Sequence, residues 1–356
     1  MGHERIKLFL CKYRLFFSVF ASREEVAKMK DFTEVIGQED IIAYFQKGIE
    51  ENKISHAYIL SGEKGSGKHL FAQIFASTLQ CEKKGINPCG VCHSCLQVEG
   101  GNQPDIKYVT HEKVSLGVDD IRTQVNEDVL IKPYSSPYKI YIIPDGEKMT
   151  EQAQNALLKT IEEPPEYAVF LLLTDNINTF LPTILSRCVT LQLKPVAANL
   201  IKKYLMEQRQ VPDYVAELSA KFSQGNVGKA IRYSSSEQFT EIKKDTIHVL
   251  SHIDEMKNYE IMQFIKTMAE KKQDVNDYLD LMLLWYRDVL MFKVTQDPNG
   301  LLFADEVATI RKQAENKQYE GIEAVIQAIE KAKIRLKANV NFDTAMELMI
   351  CVMKEN

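Results

Sequence analysis

The stretch HAYILSGEKGSGKHLFAQIFASTL, residues 56–79, decides the fold, because an apolar run, a glycine-rich loop and an amphipathic stretch follow one another. The apolar run predicts a buried strand, and the amphipathic stretch predicts a helix. Between them Gly62, Gly67 and Lys68 complete the pattern G-x-x-x-x-G-K, with Gly65 inside it. This order of elements predicts a phosphate-binding loop between a strand and a helix.

Such a loop binds phosphate through backbone N–H groups and a helix N-terminus, and Lys68 would reach the outer phosphates. The next position normally carries a Ser or Thr hydroxyl that coordinates Mg²⁺, but here it is His69. Imidazole is a poor ligand for Mg²⁺, which requires hard oxygen ligands in an octahedron. The sequence therefore leaves the binding of ATP or ADP open, and we expect Mg²⁺ to be held poorly.

Four further apolar runs with turn residues nearby predict strands, and helical patterns separate them. These runs are residues 105–109, 139–145, 168–174 and 189–193. Within one helical pattern, DDIRTQVNEDVL at 119–130, the apolar residues Ile121, Val125 and Val129 stand four apart. Strands that alternate with helices predict an α/β fold with a parallel sheet and flanking helices.

Length and composition fit a globular protein of two or three domains, with 356 residues, 45% of them hydrophobic. Strand signals stop near residue 195, and longer helical patterns begin near 246. We therefore expect an α/β domain at 29–195, a small helical domain at 196–245 and an all-α domain at 246–356. The net charge of −5 disfavours a surface that follows a nucleic-acid backbone over its whole length.

The N-terminal residues 1–28 are apolar and basic, and could be mistaken for a signal peptide. Lys12 and Arg14 interrupt the apolar stretch, which is also too short to span a bilayer. We interpret this segment as an extension outside the core, and we expect a cytoplasmic protein with no membrane role.

An ATPase with such a loop also needs acidic residues at the end of a neighbouring strand. In IYIIPDGEKM, residues 140–149, Asp145 stands where an acid would support the metal. The next position, where a carboxylate would activate water, is Gly146, and Glu147 would point elsewhere. The alternatives are that Asp145 is an ordinary acid in a turn and that Glu147 is a solvated acid. After the hydroxyl at position 69, the water-activating carboxylate is therefore the second group required for ATP hydrolysis that is missing from the sequence.

Four of the seven cysteines crowd into CEKKGINPCGVCHSC, residues 81–95, with the spacing C-x7-C-x2-C-x2-C. Four thiolates with two C-x2-C turns are typical of a tetrahedral Zn²⁺ site. The spacing therefore predicts a structural zinc site with a closed ligand shell, with His93 as an alternative ligand. Its predicted ligands are Cys81, Cys89, Cys92 and Cys95.

The last candidate is LPTILSRC, residues 181–188, a Pro-initiated helical turn that precedes a predicted strand. By itself Arg187 is compatible with a cation that is stabilised at a helix C-terminus.

Together these motifs resemble the bacterial DNA polymerase III clamp-loader family. The resemblance rests on the degenerate loop, the cysteine insertion, NALLKTIEEPP (155–165) and LPTILSRC, and it covers about residues 30–195 closely. It resumes in AIEKAKIRLKANVNFDTAMELMICVM, residues 328–353. The resemblance implies an AAA+ module of α/β domain and helical lid, followed by a collar helix bundle that joins the subunits of a ring.

Two branches of this family are candidates: the gamma/tau motor, and a branch that keeps the fold without a working hydrolytic site. Here His69, Gly146 and Gly228 replace the hydroxyl, the catalytic glutamate and the sensor arginine of the motor. These losses favour the second branch, with a divergent gamma/tau-like ATPase as the alternative. A third reading is an unrelated zinc-ribbon protein that binds nucleic acid, which the acidic net charge disfavours.

The resemblance also implies partners and a role for Arg187. In this family the arginine of the SRC motif is an arginine finger, which acts in the ATP site of the neighbouring subunit. The implied partners are gamma/tau and delta subunits in a five-subunit ring, with the sliding clamp and primed DNA bound through the complex. We expect no independent ATPase or polymerase site in a chain that serves the DNA polymerase III holoenzyme, a nucleotidyltransferase.

Overall fold

The computed structural model describes residues 31–270 and 274–355. The chain divides into two compact units: one extends to Tyr204 and includes Gly225–Gly228, and the other comprises Leu205–Gln224 and the residues from Lys229 onward. The predicted extension at 1–28 lies outside the described residues. Across 31–270 and 274–355, every helix is too short or too polar to cross a membrane.

A five-stranded sheet forms the centre of the first unit, with the strand order β2-β3-β4-β1-β5. Every pair of neighbouring strands is parallel, which confirms the predicted α/β class. All five predicted strands are present, and β1, β3 and β4 are buried throughout, as their continuous apolar runs indicated. The strands are β1 (Ala57–Ser61), β2 (Ile106–Tyr108), β3 (Lys139–Ile143), β4 (Ala168–Thr174) and β5 (Val189–Gln192).

Alternate strand residues point to opposite sides, so a strand of apolar residues gives the sheet two apolar faces, and helices cover both. On one face Phe45, Phe71 and Phe75 pack in one core with strand residues such as Leu60. On the other face a second core contains Ile59, the residue of β1 that precedes Leu60. The helices are α1 (Glu39–Glu50), α2 (Lys68–Gln80), α3 (His93–Glu99), α4 (Val118–Ile121), α5 (Glu151–Glu162), α6 (Pro182–Leu185) and α7 (Ala198–Arg209).

The prediction of a helix at 119–130 is only partly correct. The buried face is the predicted one, but the segment is not a continuous α-helix. After α4 the chain forms a π-helical turn at Arg122–Asn126 and a 3₁₀ turn at Asp128–Leu130. The three residues of the predicted apolar stripe, Ile121, Val125 and Val129, are all buried. The buried ammonium of Lys139 donates to the carbonyls of Asp128 (2.6 Å) and Ile131 (3.0 Å), so these carbonyls are bound to Lys139 instead of continuing a helix.

The second unit is helical, as predicted for the residues after 195. Its largest core surrounds Trp285, whose Nε1 donates to Gln313 Oε1 at 2.8 Å. The described helices that follow α7 are α8 (Asp213–Phe222), α9 (Val227–Ser235), α10 (Glu237–His252), α11 (Asn258–Glu270), α12 (Val275–Thr295), α13 (Val307–Asn316), α14 (Tyr319–Lys337) and α15 (Phe342–Glu355). The boundary between lid and collar near residue 245 stays a prediction.

Candidate functional site

The glycine loop joins β1 to α2, as the sequence predicted. Gly65 and Gly67 adopt φ values of +90° and +99°, a left-handed conformation that favours glycine. Gly67 caps α2, which begins at Lys68. The register places Ser61, the residue before Gly62, beside Thr174 at the end of β4. The loop therefore lies at the carboxyl edge of the sheet, where ligands of parallel α/β sheets bind.

Lys68 is held inside this loop by an acid that the motif did not predict. Its Nζ lies 2.7 Å from Asp175 Oδ1 and donates to the carbonyls of Gly62 (2.6 Å) and Glu63 (3.0 Å). Its side chain is only 7% exposed. Lys68 would therefore have to leave Asp175 and these carbonyls to meet a phosphate. An acid that directly follows a buried strand was a signal in the sequence for this contact.

Residues 225–228 pack directly on the glycine loop. Asn226 Nδ2 donates to Glu63 Oε2 (2.9 Å) and to the carbonyl of Lys64 (2.8 Å). The N–H of Gly228 donates to the carbonyl of Gly65 at 3.0 Å. A Cβ on Gly228 would lie 2.8 Å from that same oxygen, so a larger side chain does not fit this contact.

Gly146 is buried at the position of the missing catalytic carboxylate. A Cβ there would lie 2.6 Å from Phe180 Cζ and 3.0 Å from the carbonyl oxygen of Leu173. A glutamate therefore cannot be placed at this position without displacing its neighbours. Glu147, the next residue, accepts a hydrogen bond from the N–H of Asp175 at 3.1 Å.

Asp145 already has two basic neighbours. Its Oδ2 accepts a hydrogen bond from Lys148 Nζ at 3.0 Å, and it lies 3.8 Å from His111 Nε2. Burial raises the pKa of Asp145, but Lys148 and the two nearby histidines outweigh burial and hold the pKa below its ordinary value. Burial and the charge of Lys68 lower the pKa of His69, so at neutral pH His69 is a neutral imidazole. At this edge the carboxylates of Asp145, Glu147 and Asp175 are each bound to another group of the protein, namely Lys148, the N–H of Asp175 and Lys68.

The four clustered cysteines are brought together as predicted. Their Sγ atoms all lie within 4.8 Å of one another, and Cys89 Sγ is 4.0 Å from Cys95 Sγ. A tetrahedral zinc ion with Zn–S bonds of about 2.3 Å would separate its sulfur ligands by about 3.8 Å. This geometry fits a metal ion. Among the residues that the structure describes, the cluster consists of the four cysteines without His93.

The electrostatics of the cluster also fit a bound cation. Donation from the backbone N–H of Val91 lowers the pKa of Cys89 to about 6, whereas burial raises the pKa of Cys95 to about 12. Four adjacent thiolates repel one another, and a divalent cation removes that repulsion. The cysteine cluster can therefore bind a metal ion.

Arg187 lies just after α6 at the surface of the first unit. Its Nη2 pairs with Glu162 Oε1 at 2.8 Å, and its Nη1 donates to the carbonyl of Thr183 at 3.0 Å. Its side chain is 38% exposed. The contact with Thr183 agrees with the interpretation of Arg187 as a cation at a helix C-terminus. The pairing with Glu162 was not predicted.

The fold and loop together define the class: a parallel α/β protein with a degenerate phosphate-binding loop between β1 and α2. Two family models match the chain, "DNA polymerase III, delta subunit" at residues 37–197 and "DNA polymerase III, delta subunit, C terminal" at residues 237–353. DNA polymerase III subunit delta' of Bacillus subtilis is 30% identical over 89% of this chain and 96% of its own length. The chain belongs to the delta-prime family of DNA polymerase III clamp-loader subunits.

The motor branch is also similar to this chain. DNA polymerase III subunit tau of Bacillus subtilis is 28% identical over 88% of this chain, which spans only 59% of tau. A solved structure of a DNA polymerase III gamma-subunit-related protein from Thermotoga maritima matches 88% of this chain and 98% of its own length. The sequence identity is 18% and the TM-score is 0.46.

Proposed function

We propose that this chain is the delta-prime subunit of a bacterial DNA polymerase III clamp loader and supports ATP-dependent loading of the sliding clamp onto primed DNA. It does not hydrolyse ATP itself, and it supplies Arg187 as an arginine finger to a gamma/tau neighbour. One observation carries this proposal: close contacts exclude the motor's side chains at Gly146 and Gly228, while Arg187 is exposed at the surface.

Arg187 has the chemistry that a finger requires. A guanidinium stays charged and can donate to two phosphate oxygens at once. In NTPases, an arginine supplied in trans stabilises the charge on the transferred phosphoryl group and raises the rate by roughly 10³–10⁵-fold. The Nη and Nε donors of Arg187 could meet such a phosphate once its contacts with Glu162 and Thr183 are released.

We further propose the arrangement of domains and partners. Residues 29–195 form the AAA+ α/β domain with the insertion at 81–95, residues 196–245 form the lid, and residues 246–356 form the collar that joins a five-subunit ring. The gamma/tau subunit binds on the face of Arg187, and the delta subunit binds on the other side. The family membership supports this cytoplasmic complex.

The two ligand sites have different roles in this proposal. The cysteine cluster holds a structural Zn²⁺ ion, because four thiolates fill a tetrahedral shell and leave no position for substrate. The degenerate loop of Gly62, Gly65, Gly67 and Lys68, with Asp145 nearby, takes ATP or ADP only when Lys68 leaves Asp175. It does not hold Mg²⁺ in an ordered site.

The test uses a loader reconstituted from this chain and its gamma/tau-type and delta-type partners. Arg187→Ala should lower the ATP turnover that clamp and DNA stimulate, while gel filtration shows intact assembly. Arg187→Lys should remain impaired, because an ammonium cannot form the two parallel hydrogen bonds. An unchanged rate for Arg187→Ala would remove the finger assignment.

The alternative is a divergent gamma/tau-like ATPase, which the similarity to tau and the intact G-x-x-x-x-G-K pattern favour. It predicts ATP hydrolysis by the isolated chain that depends on Lys68. Our proposal predicts that the isolated wild-type chain and its Lys68→Ala variant are equally inactive.

A further inference from the structure

The contact between Arg187 and Glu162 occupies donors that a finger would use on phosphate. Glu162 Oε1 lies 2.8 Å from Nη2, whereas Nη1 donates to the carbonyl of Thr183 (3.0 Å) and to Ser186 Oγ (3.3 Å). A carboxylate and a phosphate accept the same hydrogen bonds from a guanidinium. The two anions therefore compete for Arg187.

The backbone positions of both residues are fixed by packing. Glu162 is the last residue of α5, and Gln154 of the same helix ties α5 to the start of α6. Gln154 Oε1 accepts a hydrogen bond from the N–H of Leu181 (2.8 Å), and Gln154 Nε2 donates to the carbonyl of Thr179 (2.9 Å). Ile161 and Ile184 of the two helices are buried in the same core. Rotation of the two side chains is therefore enough to separate Arg187 from Glu162 without unpacking the helices.

We propose that Glu162 holds Arg187 in a parked position, and that the finger leaves Glu162 when it engages the nucleotide of the neighbouring subunit. This inference rests on the proposed role of Arg187. The side chains of Arg187 and Glu162 are 38% and 40% exposed, so solvent screens the pair and its release costs little. A γ-phosphate carries more negative charge than a carboxylate and displaces it. Glu162 thereby lowers ATP turnover in loaders that have not yet bound DNA.

The test measures ATP turnover of the reconstituted loader with and without primed DNA. Glu162→Gln keeps the shape of the side chain and removes its charge. It should raise the DNA-free rate about two- to fivefold, the range expected for a solvent-screened ion pair, and leave the DNA-stimulated rate nearly unchanged. Glu162→Asp, which keeps a carboxylate, should stay closer to wild type. The matched control is Glu163→Gln, one residue beyond the end of the same helix, which should change neither rate.

Combined variants separate this inference from the proposed function. Arg187→Ala together with Glu162→Gln should behave as Arg187→Ala alone, because Glu162 acts only through Arg187. If Arg187→Ala lowers turnover but Glu162→Gln leaves the DNA-free rate unchanged or lowers it, the parked position is wrong and the finger stands. If Arg187→Ala has no effect, both are wrong.

Discussion

At the scale of single residues, two glycines are packed too closely against their neighbours to be replaced by larger residues. Gly146 packs against Phe180 and the backbone of Leu173, and Gly228 packs against the backbone of Gly65. Side chains that would complete a motor site collide with these neighbours. In the proposed function, the lack of hydrolysis therefore follows from the packing of the first unit, and we expect that substitution at a single position does not restore it.

Gly146→Ala tests this packing directly. The added methyl group would meet Phe180 and the carbonyl of Leu173, so we expect the free energy of unfolding to fall by about 1–3 kcal/mol. The control is Gly48→Ala in helix α1, where the nearest atom would be 3.4 Å away. Helix propensity makes that change neutral or stabilising by up to about 1 kcal/mol. Denaturant titration measures both, and equal stability of the Gly146→Ala variant and wild type would contradict the packing argument.

The sequence predicted the residues of each motif but not the partners that restrain them. Lys68 and Arg187 were identified from local patterns. Their partners Asp175 and Glu162 come from distant parts of the chain, since Asp175 is 107 residues from Lys68. Such contacts depend on which strands become neighbours and on how helices pack, which local periodicity does not encode. The strand order therefore had to be known before these ion pairs could be found.

At the scale of elements, the strands were predicted well because each is a short apolar run between turns. The helix at 119–130 was not, because a buried cation from β3, Lys139, binds the carbonyls of Asp128 and Ile131. The pattern of apolar residues determined which side is buried. The winding of the segment was determined by a tertiary contact.

The cysteine cluster is the element that we expect to depend on a bound metal ion for its stability. Freshly purified, reduced protein should contain about one zinc ion per chain by elemental analysis. Cys89→Ser should release that ion and lower the free energy of unfolding of the first unit by more than about 3 kcal/mol, since metal binding is coupled to folding. Cys351→Ser, at an exposed position in α15, should retain the zinc and the stability. Zinc content near zero in the wild-type protein would refute the site.

At the scale of the whole molecule, the proposed function gives the chain a glycine loop that it does not use for hydrolysis and an arginine that acts in a neighbouring subunit. The glycine loop then keeps a structural role, because Lys68, Asn226 and Gly228 bind it to other parts of the first unit. We propose that the helical second unit provides the surface for assembly. In this proposal the activity of the chain belongs to the loader and not to the isolated subunit.

The most direct test of this claim compares Lys68→Ala with Arg187→Ala in the same reconstituted loader, with clamp and primed DNA present. We predict that Lys68→Ala keeps ATP turnover close to the wild-type rate. Arg187→Ala should remove the contribution of the neighbouring site, where loss of a finger slows hydrolysis by roughly 10³-fold or more. The opposite result, a large loss with Lys68→Ala and none with Arg187→Ala, would contradict the account and identify the chain as a motor.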